Sequence, residues 1–77
     1  MLSKVAFVKL LEPVLKAAKS DIHAVDFMTS EEVRQKFGVA PYSENVVIQW
    51  RDGRQILVIN VSCNSHLQIL RDVVKAL

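Results

Sequence analysis

Apolar and polar residues alternate along this chain with two periods, and the change of period marks its elements. From Val5 to Ala18 the apolar positions recur at helical spacing, with Ser3 placed to cap the helix start. On a helical wheel Lys9, Glu12, Lys16 and Lys19 share one polar strip. The apolar arc that remains spans about 240°, far more than the roughly 100° a helix needs to sit on one surface. Pro13 lies inside this run. Proline removes a backbone hydrogen bond, so the run predicts either a kinked helix or two short ones with Pro13 opening the second.

Asp21 to Phe27 reads as a strand, with Ile22 and Ala24 on one side and His23, Val25 and Phe27 on the other. Thr29, followed three residues later by Glu32, is a capping box that starts a short helix from Ser30 to Phe37. Gly38 ends it, because glycine accepts the left-handed conformation of a helix terminus. Val39 to Glu44 is a loop.

Two β-rich runs, Val46 to Arg51 and Arg54 to Ser62, flank Asp52-Gly53. That dipeptide suits a type I′ turn, which predicts a hairpin with a two-residue loop. The register then sets Arg51 opposite Arg54, Gln49 opposite Ile56 and Val47 opposite Val58 on one face. Trp50 opposite Gln55, Ile48 opposite Leu57 and Val46 opposite Ile59 share the other, which is the core face. Ser65 and Gln68 form a second capping box. The helix it opens, His66 to Leu77, presents Leu67, Leu70, Val73, Val74 and Leu77 inward and Arg71, Asp72 and Lys75 to water.

The elements predict one α+β domain over residues 1–77, in the order α-β-(short α)-β-β-α. Its sheet has three strands, mainly antiparallel, with the helices packed on one face.

Composition narrows the picture. Hydrophobic residues make up 51% of the 77 positions and charged residues 23%, which excludes disorder as the ground state. A net charge of +2 is too small to drive binding to nucleic acid or an anionic membrane. No run approaches the roughly 20 apolar residues of a membrane span. Lys9 interrupts the N-terminal run too early for a signal-peptide core. The single cysteine, Cys63, permits no internal disulfide and fits a reducing, cytoplasmic setting.

Candidate chemistry is sparse. Cys63 and His66 are the residue types of a nucleophile and its base, but strand parity predicts a buried, structural Cys63. A metal site needs three or four ligands, and Cys63, His66 and the distant His23 do not supply a regular set. The only glycines are Gly38 and Gly53, so there is no phosphate loop. No acidic pair is spaced for acid–base work. The expectation is a non-enzymatic protein without cofactor or metal.

The outer hairpin face is where a partner is expected. Val47, Ile56 and Val58 form an apolar patch there, bordered by Gln49, Arg51, Arg54 and Asn60. A three-stranded sheet with helices on one side leaves its other face to water, and an apolar patch with a polar rim marks an interface. Val47, Gln49, Ile56 and Val58 are thus candidate interface residues. With the wide apolar arc of the first helix, they predict a protein-interaction module that self-associates as a homo-oligomer or takes a protein partner. Intramolecular cover by the short helix or the N-terminal helix is the alternative. A second functional reading places nucleic acid or another anion on Arg51, Arg54 and the first-helix lysines.

The helix, three strands, helix order resembles that of the double-stranded-RNA-binding domain, in topology alone. Where that family carries a lysine cluster, Asn64 to Arg71 holds one arginine. The resemblance implies RNA binding, and the missing lysines remove the contacts it relies on.

Overall fold

The computed structural model describes residues 2–39 and 41–77. Local capping sets the helix limits. The Ser3 hydroxyl accepts the Ala6 N–H at 3.1 Å and opens α1, Lys4–Ala18. Pro13 sits on its exposed side within one continuous helix. Both halves of the Thr29–Glu32 capping box form at the start of α2, Ser30–Phe37, and Gly38 closes it at φ 71°. The Ser65–Gln68 box opens α3, His66–Ala76.

The strands are β1 (Ile22–Thr29), β2 (Glu44–Trp50) and β3 (Leu57–Asn60), in an antiparallel sheet of order β1-β2-β3. β2 and β3 pair Val46 with Ile59, Val47 with Val58 and Ile48 with Leu57, the register expected from the hairpin pattern. The ladder stops there, so Arg51 and Arg54 are not cross-strand partners. The turn also differs. Trp50 O accepts the Gly53 N–H at 3.3 Å, so Arg51 and Asp52 are its central residues. Gly53 alone of the pair has positive φ, at 78°. The Asp52 carboxylate explains the shift, because Oδ1 accepts the Arg54 N–H at 3.0 Å and stabilises a local Asx turn.

β1 departs from simple alternation. Ile22 pairs with Trp50 and Ala24 with Gln49, which leaves His23 as the extra residue of a bulge. The bulge flips the parity, so Ile22 joins Val25 and Phe27 on one face instead of facing away from them.

α1 and α3 cover that face. Val8 and Leu15 of α1 and Ile69 and Val73 of α3 close over Ile22, Val25, Val46, Ile48, Ile59 and Val61. In α3 the inward stripe is rotated from the expected one, since Ile69 is buried while Leu67 is 75% exposed and Val74 57%. α2 lies against the other face, where Val33 packs with Met28 and Val47. Intramolecular cover therefore applies to part of the outer hairpin face.

Candidate interaction site beside β3

The second face is covered unevenly. Val33 of α2 sits over Val47 and Met28, and all three are buried. Val47 is thus a core residue under α2, not part of the exposed interface that its strand position had suggested. Gln49 lies half-buried opposite Ala24, at the β1 side of the sheet. Ile56 and Val58 remain half-buried at the far edge of the same apolar cluster. With Val39, Pro41, Tyr42 and Gln55 they line an open groove of about 370 Å³. Tyr42 and Val39 stand exposed at its lip.

The loop that walls this groove is held by one buried side chain. Asn45 Nδ2 donates to the Tyr42 carbonyl at 2.8 Å and to the Met28 carbonyl at 3.2 Å, and its Oδ1 accepts the Tyr42 N–H at 3.1 Å. The amide thereby ties the loop to β1 from the first paired position of β2 with β3. Sequence reading passed over Val39, Pro41 and Tyr42 because they fall in a loop. Three apolar residues in so short a connection were the available signal.

The candidate anion contacts are engaged within the chain. Arg54 pairs with Asp21 and Asp52, and its guanidinium lies 4.1 Å from the Trp50 ring centroid. The Asp21 hydrogen bond, then the nearby Asp52 charge, raises the Arg54 pKa, while the Arg54 backbone N–H lowers that of Asp52. Arg51 Nε donates to the Ile22 carbonyl at 3.2 Å. Both arginines clamp the hairpin tip to the start of β1.

Comparison with known proteins finds no matching family model, curated protein or solved structure.

Cys63 is exposed, contrary to the expected burial, with φ 61° in the turn between β3 and α3. Its N–H donates to Glu44 Oε1 at 2.9 Å, and Lys4 Nζ lies 3.1 Å from the same oxygen. These two donors, the Cys63 N–H foremost, lower the Glu44 pKa. His66 does not pair with Cys63. Its Nε2 is 2.7 Å from the Leu2 carbonyl oxygen, and its ring meets the edge of Phe7 at 4.8 Å. His66 thus joins the N-terminal ends of α1 and α3. Among the described residues no group of three His, Cys, Asp or Glu could hold a metal ion, and no helix is long and apolar enough to cross a membrane.

Proposed function

We propose that this protein is a non-enzymatic protein-interaction module that self-associates, with the groove beside β3 as its contact surface. One observation carries the reading: Val58 on the edge strand β3 and Ile56 just before it lie half-open, facing a groove whose other wall includes Val39, Pro41 and Tyr42. Their half-open apolar side chains adjoin the exposed Val39 and Tyr42, so the groove and its lip form one contiguous apolar patch, the kind of surface that marks an interface. A small domain also gains stability by burying such surface against a partner. Sedimentation velocity over about 1–100 µM tests the reading, because self-association with a dissociation constant in or below that range shifts the population toward oligomer as concentration rises. A single monomeric species at every concentration overturns it. The contacts of Arg51 and Arg54 within the chain favour this reading over anion binding at the hairpin tip.

A further inference from the structure

The two edges of the sheet are finished differently. On β1, Glu12 Oε2 of α1 accepts the outward Val25 N–H at 2.7 Å. Lys9 Nζ lies 2.7 Å from Asp26 Oδ1 on the same edge. Charged groups set across an edge block the addition of another strand. Among the described residues β3 has no such guard. Gln55 to Asn60 contains neither a charge nor a proline.

The register assigns the backbone of β3. The Val61 N–H donates to Glu44 O at 3.1 Å. Ile59 and Leu57, which alternate in step with Val61, therefore turn their N–H and C=O groups toward β2. Val58 and Asn60 turn theirs away from it. Among the described residues no backbone group of another element hydrogen-bonds to that outward side.

We infer that this edge pairs with the same edge of a second copy of the chain. The strands run antiparallel, with Val58 opposite Val58 on a two-fold axis perpendicular to the sheet. Ile56 of each copy then faces Asn60 of the other, and the result is one six-stranded sheet. The inference rests on the self-association proposed above and specifies its geometry. Charge selects the occupant. An acidic or basic strand finds no complement along residues 55–60, whereas the uncharged segment meets its own copy with no like charges opposed. The nearest charge in the chain, Arg54, falls opposite Ser62 of the second copy. The two-fold also keeps both grooves on one face, so each half-open Val58 is covered by its counterpart in a self-complementary contact.

Cysteine cross-linking reads the register directly. In a Cys63→Ser background, Val58→Cys sets two thiols at a hydrogen-bonded antiparallel pair, whose Cα separation of about 5.5 Å suits a disulfide. Asn60→Cys serves as the control, because its two thiols lie about four residues apart along the paired strands, roughly 13 Å. Oxidation under conditions where sedimentation shows a dimer is expected to link Val58→Cys and leave Asn60→Cys unlinked. Val58→Lys opposes two ammonium groups on the axis and is expected to weaken the dimer by about tenfold or more. A dimer that forms but does not link at position 58 overturns the β3 pairing while leaving self-association in place on another surface. A chain that stays monomeric overturns both.

Discussion

The groove depends on Asn45, and replacing it has a cost that can be worked from its surroundings. The side chain is fully buried and makes three hydrogen bonds, two to Tyr42 and one to the carbonyl of the buried Met28. Each intramolecular hydrogen bond contributes about 1 kcal/mol net, and a buried group left without its partner costs about 1–3 kcal/mol. Tyr42 is half-exposed, so water can replace part of what it loses; Met28 has no such recourse. Asn45→Ala is therefore expected to destabilise the fold by about 2–4 kcal/mol. The whole domain is stable by only about 4–12 kcal/mol at the usual value per residue. In urea, with a slope of about 1 kcal/mol per molar, the unfolding midpoint should fall by about 2 M or more. Asn45→Asp sharpens the test. It keeps the shape but aims a carboxylate at the two carbonyls that now receive N–H groups. That raises its pKa, so its deficit relative to the parent chain should grow as pH rises through the carboxyl's titration and shrink below it. A midpoint shift under about 0.5 M for Asn45→Ala, or a pH-independent Asn45→Asp deficit, would refute the argument.

Three further outcomes follow from other parts of the structure. Val33→Ala, in the centre of the second-face cluster, should cost about 1.5–3 kcal/mol by urea unfolding, and a loss near zero would mean that α2 does not cover Val47. Glu12→Ala removes the carboxylate on the Val25 amide; it should cost about 1.5–3 kcal/mol and speed hydrogen exchange at Val25, and unchanged protection there would deny that α1 guards this edge. The carboxylates of Glu32, Glu44 and Asp52 all titrate below their ordinary range, Glu32 chiefly through the Thr29 N–H. Their contribution is present above the unfolded values of about 4 and is lost as pH falls through the lower folded values, so the thermal midpoint should drop on acidification and Glu44→Gln should reduce that drop.

Features set by a few neighbouring residues were legible in the chain. Both capping boxes, the Ser3 cap and the Gly38 terminus need only a side chain and a backbone group three or four positions away. The β2–β3 register was legible because one face of that hairpin is continuously apolar. What escaped depends on distant partners. The bulge at His23 arises where Ile22 and Ala24 meet Trp50 and Gln49, and nothing in residues 21–27 announces it. In α3, Leu67, Ile69, Leu70, Val73, Val74 and Leu77 spread over too wide an arc for the helix alone to choose a side, and the sheet selects Ile69 and Val73. Cys63 was assigned to β3 by extending its alternation, but the strand ends at Asn60. Of the interface candidates, Ile56 and Val58 lie at the groove, whereas Val47 needed the position of α2 to be excluded.

The uneven cover of the second face follows from dimensions. α2 has 8 residues, so it is about 12 Å long, and with side chains it is about 10 Å across. Strands lie about 4.8 Å apart, so a helix of that width laid along the sheet shields about two strands of three. α2 follows β1 directly and is anchored by the Thr29 cap, which places it over β1 and β2 and leaves β3 to the loop after Gly38. Asn45 holds that loop beside β3 without closing it over Ile56 and Val58. A soluble-facing remainder of this kind is satisfied by threonine or glutamine at lower risk of aggregation. Ile56 and Val58 stand there instead, before and on an uncharged strand to whose outward amides and carbonyls no backbone group of another element bonds among the described residues, while the opposite edge is closed by Glu12, Lys9 and Asp26. Among the described residues one edge is thus guarded and the other is uncharged and unpaired. That asymmetry favours the proposed contact at β3 over the exposed side chains of α1 and α3, which lack an accompanying row of backbone groups.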